Sequence, residues 1–402
     1  MSEAGEGTRH HDVVIVGGGN AGVSLAARLR RDGMTDVALV DPVDVHRYRP
    51  LLSYVGGGQA HMSDLERPQS SVIPKGVHWY QERVSAVGPA ERCVRTASGL
   101  RLSANDLVIC PGVEQDWDAV PGSREAVFST HGASNYVDER AAHTWELVRD
   151  LRSGHAVFVV ADGPVPCAGA GLKPLFLAAD HWRRTGVLGD IEITAVLGWD
   201  TIFGIDRVDV ELRRATEQFG IRVLTGARVR SVDADVRSLT VITADEERTL
   251  GYDILHLVPR HRAPAWVAES GLAGATTDGM IEISPTTLMH LRYPGVWGLG
   301  DAADVQASRS GGALRKQAGV VADNIARRRS GAELATYAGY STAPITVARH
   351  RLVLAEFDRD DRITPSFPVL DLVKARRMTW FYDRYLQPLV YWYSILKGHV
   401  SS

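Results

Sequence analysis

The sequence predicts an α/β fold with two dinucleotide-binding domains of the Rossmann type, and three stretches of its 402 residues carry that expectation. Residues 11–33 join a short apolar run to spaced glycines and then to a helical pattern. Residues 293–304 bring a second strand into a glycine turn far along the chain. Residues 155–163 form a third apolar strand ahead of another helix. A chain of this length is too long for one core, and two or three domains are expected.

In HDVVIVGGGNAGVSLAARLRRDG, Val13 to Val16 suit a strand buried on both faces of a parallel sheet. Gly17, Gly19 and Gly22 follow in a G-x-G-x-x-G pattern that includes Asn20. Glycines there let backbone N–H groups approach a pyrophosphate at a helix N-terminus. Apolar Val23, Ala26, Ala27 and Leu29 mark that helix. The next strand, VALVD, ends in Asp41, about 20 positions beyond the glycines, where an acid binds a ribose hydroxyl.

YPGVWGLGDAAD runs a strand into Gly298-x-Gly300-Asp301. That ending is similar to the FAD loop of flavoproteins with two dinucleotide domains, whose aspartate holds the ribityl or phosphate part, so FAD is expected rather than NAD. NDLVICPG, residues 105–112, reads as a third element, with Cys110, Pro111 and Gly112 at its turn. His46, in HRYRP, is expected near FAD in a structural hydrogen bond. The strand HAVFVVADG opens the second domain, but ADGPVPCAGAGLK follows where a second glycine loop would stand. Pro164 and Pro166 remove backbone donors that a pyrophosphate cradle would use. The electron donor is therefore expected to be a small molecule other than NAD(P)H, acting near Cys167.

The totals exclude several classes. A net charge of −3 gives no basic footprint for nucleic acid. Three cysteines make no disulfide framework, so a reducing, cytoplasmic compartment is expected. The polar start lacks the apolar run of a signal peptide. No run of about 18 apolar residues appears. No metal is expected, because neither H-E-x-x-H nor a Cys/His spacing occurs. In residues 378–400, Met378, Tyr382, Tyr385, Leu389, Trp392 and Leu396 recur at steps of three and four, with Pro388 at a kink. Trp380, Tyr391 and Trp392 suit a membrane–water boundary. Peripheral membrane contact is one reading of this aromatic helical element, and packing on the protein's own core is the other.

Together these stretches resemble the sulfide:quinone oxidoreductase family, in its eukaryotic-type branch, among the FAD-dependent, glutathione-reductase-like flavoproteins. The likeness covers nearly the whole chain. VALVDPVDVHRYRPLLSYVGGG and SVIPKGVHW are similar to its N-terminal blocks. VPCAGAGLKPLFLAADHWRRTG matches the first catalytic cysteine, here Cys167, and a following lysine, Lys173. RYPGVWGLGDAAD and RKQAGVVADNI, which contains Lys316, match the FAD loop and its helix; YSTAPITVARHRLVLAEFD and LQPLVYWYSILKGH match the C-terminal region. The resemblance implies FAD bound by residues 1–145 and 266–330, a second domain over 146–265, and an acceptor- or membrane-facing part over 331–402. It also implies that two cysteines bridged through sulfur accept sulfide, and that the flavin passes two electrons to quinone.

Two departures qualify this. The second family cysteine falls at Ala343, and Ser308-Arg309-Ser310 replaces a Ser-Lys-Thr-type segment. Cys93, in an apparent hairpin, and Cys110, at a packed turn, are not expected to substitute. With one thiol no bridging sulfur forms. Cys167 is then a charge-transfer donor to the flavin, a group that adds to it, a persulfide carrier resolved by an external thiol, or a relic in a rebuilt pocket. Lys173 is expected to lower its pKa. Three functions stay open: altered sulfur oxidation with quinone as acceptor, oxidation of an organic substrate in specialised metabolism, and a non-catalytic flavin sensor. The oligomeric state, a homo-oligomer included, is open too.

Overall fold

A computed structural model of the chain describes residues 7–366 and 370–401. The first six residues, part of the polar start, lie outside this description. β1 (Arg9–Val16), α1 (Asn20–Arg31), β2 (Val37–Val40), β3 (His78–Tyr80) and β4 (Arg101–Ile109) build the first sheet in the order β3-β2-β1-β4, all parallel. Val13, Val14 and Ile15 are fully buried, as are Val37, Ala38 and Leu39, because helices and loops cover both faces. The strand Val296–Gly298 returns from far along the chain to pair with β4 in parallel. An antiparallel hairpin, Val84–Gly88 and Cys93–Thr96, extends the other path from β4.

The second sheet centres on β5 (Gly154–Val160), followed by α2 (Ala168–Thr185), β6 (Ile191–Leu197) and β7 (Ile254–Val258), with β7-β5-β6 parallel at its heart. Gly132–Ala133 joins its β7 edge and Arg222–Leu224 its β6 edge. A three-stranded antiparallel meander over residues 228–251 interrupts the chain before β7. The sheet meets the expectation of a second Rossmann-like unit.

Three later elements close the site. α3 (Gly311–Ser330) packs against α1. The hairpin β8 (Ser341–Ala348) and β9 (Arg351–Phe357) lies on α2. The tail forms α4 (Arg377–Phe381), one π-helical turn (Tyr382–Leu386) and α5 (Gln387–Tyr393).

The tail corrects one expectation. The six residues expected to share a face divide: Met378, Tyr385 and Leu389 are exposed, Tyr382 is half-buried, and Trp392 and Leu396 are buried. Tyr391 and Trp392, expected at a membrane boundary, pack inward around His46. The π turn and the break before residues 395–397 shift the helical phase, so a single 3.6-residue period cannot hold through the segment.

Candidate active site

The glycine loop is fixed by sterics. Gly17 has φ +108, and a Cβ there would lie 2.2 Å from the Cys110 carbonyl oxygen. A Cβ on Gly22 would lie 1.8 Å from the Gly17 carbonyl oxygen. Gly19, just before α1, faces open space. Only bare backbone lets strand, turn and helix approach this closely while leaving one side free for a ligand. Cys110 is buried with Sγ 3.6 Å from the Gly17 carbonyl, so it is a packing residue, and Pro111 lies beside it against the same glycine. Gly112 adopts φ +73 at the end of that turn. Gly17→Ala is expected to cost about 1–3 kcal/mol of stability and to yield protein with little bound flavin. Flavin absorbance per mole of protein and a urea midpoint check both.

Asp41 stands at the end of β2 and accepts hydrogen bonds from the Gly18 and Val43 amides. Burial holds its carboxyl above the usual range, against the pull of those amides. Gly300, at φ +83, turns the chain after Val296–Gly298 and donates to Gln317 Oε1 at 2.9 Å. Asp301 follows, its pKa raised by burial and opposed by Arg309 and Arg49. A Cβ on Gly300 would sit 3.6 Å from Ala21, so the second glycine turn reaches the first turn of α1. Asn20 bridges to Gly311 at 3.4 Å and to Ser24 at 3.1 Å. Lys316, on α3, donates to Ser401 Oγ at 3.2 Å. These residues fit a dinucleotide: a turn closed tightly at Gly17 and Gly22, an open face at Gly19, and carboxylates from two strand ends.

His46 lies one layer behind. Gln69 donates through Nε2 to the Gly18 carbonyl at 2.8 Å, so its Oε1 faces His46 Nδ1 at 3.0 Å. His46 therefore carries its proton on Nδ1 and accepts from Tyr391 OH at 2.6 Å on Nε2. Burial lowers its pKa and keeps it neutral.

Cys167 caps α2 in the left-handed region, φ +50 and ψ +62, a conformation that disfavours a side chain and must be held by its surroundings. Its amide donates to the Arg309 carbonyl at 2.9 Å, and Tyr136 OH reaches the Pro166 and Cys167 carbonyls at 2.9 Å. Pro174 lies inside α2 and cannot donate to the Ala170 carbonyl. Asn135 Nδ2 and Ser53 Oγ do so instead, at 3.2 and 3.3 Å. The helix start is thus tied to three distant segments.

Lys173 pulls the Cys167 pKa down as expected, but burial outweighs it and leaves the thiol above its ordinary value. Lys173 is almost wholly buried and pairs with Asp383 at 3.3 Å. Asp383 also accepts from Tyr54 OH at 2.7 Å, and Thr346 donates to the Tyr54 oxygen at 3.2 Å. The lysine's charge is therefore largely answered by a carboxylate. Sequence spacing missed Asp383 and Tyr54, because Asp383 turns inward only through the π turn.

The two departures meet at one place. Ser310 caps α3 through Ala313 N at 3.1 Å and bonds Ser341 Oγ and Thr342 N. Arg309 bonds Cys167 through its carbonyl and is near Asp301 in charge interaction. Ala343, 3% exposed on β8, has its Cβ 3.4 Å from where a Cβ on Gly169 would lie. Cys93 sits on the hairpin beside Gly88, and all three cysteines are free.

One group of potential ligand atoms comes together from separate segments, without a sequence spacing that marks it. His11, Asp36 and His78 place ligand atoms within 4.8 Å of one another at the opposite end of β1 from the glycine loop. His11 is engaged by Asp36 at 2.6 Å and Tyr80 at 2.9 Å.

A family profile described as pyridine nucleotide-disulphide oxidoreductase matches residues 11–338. The mitochondrial sulfide:quinone oxidoreductase of Mus musculus is 30% identical over 97% of this chain and 87% of that protein. The one from Dictyostelium discoideum is 30% identical over 96% of this chain and 86% of its own. In fold alone, the chain matches the sulfide:quinone oxidoreductase of Aquifex aeolicus with a TM-score of 0.81 at 15% identity, covering 97% of this chain and 92% of that one. Glycine cradle, paired sheets and these relatives agree: the chain belongs to the pyridine nucleotide-disulphide oxidoreductase family, among its sulfide:quinone oxidoreductase members, and is an FAD-dependent oxidoreductase.

Proposed function

We propose that this chain oxidises a sulfur-containing small molecule by two electrons at Cys167 and delivers them to a quinone, by a route altered from standard sulfide oxidation. The observation that carries the reading is the left-handed Cys167 at the start of α2, with Ala343 beside that helix start and no second thiol there. FAD, when bound, supplies the two-electron acceptor. Gly17, Gly19, Asn20, Gly22, Asp41, Pro111, Gly112, Gly300, Asp301 and Lys316 are assigned to holding it, with His46 and Cys110 supporting the loop from behind. The chain divides in this proposal into an FAD part (1–145 and 266–330), a part carrying Cys167 (146–265), and a C-terminal part facing the acceptor (331–402).

This chain's residues have three tasks. Tyr136 and the Arg309 carbonyl hold the Cys167 backbone. Lys173, Asp383 and Tyr54 form a buried polar line along which a proton can be held. The loop over residues 161–167 takes the place of a second nucleotide cradle: the His261 backbone amide donates to the Pro164 carbonyl at 2.9 Å, and the Cys167 amide is already used. That supports a donor other than NAD(P)H. Quinone is the acceptor named for the relatives, and the exposed apolar side chains of the tail support contact with a membrane surface where quinones reside. No helix among the described residues is long and apolar enough to cross a membrane.

Anaerobic mixing with candidate donors tests the reading. Sulfide or a small thiol should bleach the flavin, and faster as pH rises, because only the thiolate reacts and burial raises the pKa of Cys167. Cys167→Ala should retain its flavin and lose this reduction to background. The missing thiol at position 343 favours one second reading, an organic donor. If sulfide and thiols leave the flavin oxidised while an organic reductant bleaches it, that reading replaces ours.

A further inference from the structure

A cavity of about 430 Å³ opens where the C-terminal end of α2, the β8–β9 turn and the start of α4 meet. Arg183, Arg184, Arg349, His350, Arg351 and Arg377 line it, with Asp180 as its single acid. An adjoining cavity of about 540 Å³ shares Arg351 and Arg377 and adds Lys374, Arg376 and Met378. Such a concentration of cations stands out in a chain whose net charge is −3.

Asp180 cannot neutralise it. Its oxygens are engaged by Arg183, by Arg184 at 3.1 Å and by the Arg349 amide at 3.2 Å. Asp371, the nearest acid to the second cavity in sequence, pairs with Arg207 at 3.1 Å and Lys374 at 3.9 Å. Among the described residues no carboxylate pairs with the guanidinium groups of Arg349, Arg351 or Arg377. Two histidines register the surplus. After burial, Arg349, Arg377 and Arg184 push the His350 pKa down, and Arg184, Arg152 and Arg349 do the same to His181. Trp380 packs its ring 4.3 Å from that of His350, and its Nε1 is buried without an acceptor. Several guanidinium forks lining one cavity call for an oxyanion with several acceptor oxygens, of the phosphate class.

The neighbouring surface decides the source. Of twelve large apolar side chains exposed among the described residues, seven fall in 370–393, including Met378, Phe381, Leu386 and Leu389. Met378 lines the second cavity together with Arg351 and Arg377, and Phe381 lies four residues beyond Arg377 on α4, so the basic lining meets the apolar ridge there. A free phosphate has no use for the ridge. A lipid has, because acyl chains and headgroup present apolar and anionic surfaces side by side. From this juxtaposition we propose that Arg349, Arg351 and Arg377 bind the phosphate of an anionic phospholipid while the tail's apolar ridge enters the bilayer surface. The inference rests on the membrane-facing reading given above and adds the headgroup that it selects.

Flotation of the FAD-loaded protein with vesicles tests it. One set is pure phosphatidylcholine and the other contains phosphatidylglycerol. The unaltered protein should prefer the anionic vesicles, and R349Q/R351Q/R377Q should lose about a hundredfold of that affinity, at roughly fivefold per arginine. Its flavin content and melting transition serve as the check on folding. Should it not fold, the unaltered protein decides alone: binding to anionic vesicles must fall as salt rises, and salt-insensitive binding overturns the proposal. Equal binding to both vesicle types overturns the headgroup assignment and leaves the membrane reading standing. No binding to either overturns both. Saturable binding of inorganic phosphate, lost in the triple variant and without preference for anionic vesicles, assigns the cavity to a free oxyanion and overturns the lipid.

Discussion

Ala343→Cys is expected to raise sulfide-dependent quinone reduction at least about tenfold above the unaltered chain. Ala343 is buried on β8, and its Cβ approaches the helix start two residues beyond Cys167. A thiol there needs one extra sulfur atom, directed from a strand already packed on α2. With bound FAD as the two-electron oxidant, the two thiols would lose two protons and an electron pair to form a disulfide. Hydrosulfide attacks one of its sulfurs, the S–S bond breaks, and the other sulfur leaves as a thiolate with the electron pair. Cys167 alone offers no such electrophile. An unchanged rate in a folded, flavin-loaded variant would remove position 343 from the site, and stopped-flow reduction by sulfide gives the reading.

Lys173→Met is expected to destabilise the protein by about 3–5 kcal/mol. The lysine and Asp383 are 1% and 5% exposed in their side chains and lie 3.3 Å apart. Removing the cation leaves a carboxylate in the interior with only Tyr54 OH as a donor side chain. The double variant K173M/D383N should recover much of the loss, since it leaves no lone charge behind. Urea midpoints of the four proteins give the coupling. A single variant as stable as the parent would mean that water reaches Asp383 freely.

The glycine cradle was legible because its cause is local. Strand, turn and helix follow one another within residues 11–33, and the close approaches of Gly17 and Gly22 are visible as spacing. Asp41 and the Gly300–Asp301 turn were legible for the same reason. The site around Cys167 was legible in part. Cys167 stood out among prolines, and its neighbour across the site, Ala343, came from the resemblance. The lysine's own pairing was not legible. Its partner is 210 positions away and faces inward only because one turn of the tail is π-helical. The tail was misread for a related reason. When apolar and aromatic residues together occupy most positions, periodicity cannot tell the face that meets His46 from the face that meets solvent. The arginine cavity is assembled from three elements, and no stretch of sequence contains enough of it to be noticed.

The line from Tyr391 through His46 and Gln69 to the Gly18 carbonyl has a consequence for regulation by location. Each imidazole nitrogen is committed, one giving and one receiving, so a rearrangement at either end leaves a mismatch at the other. Tyr391 shares its short helix with outward-facing Leu389 and Tyr393. On the membrane contact proposed above, adsorption of that helix and retention of the prosthetic group draw on a common free energy, and linkage makes the effect reciprocal. A protein that grips its flavin more firmly when adsorbed also adsorbs more firmly when it is loaded.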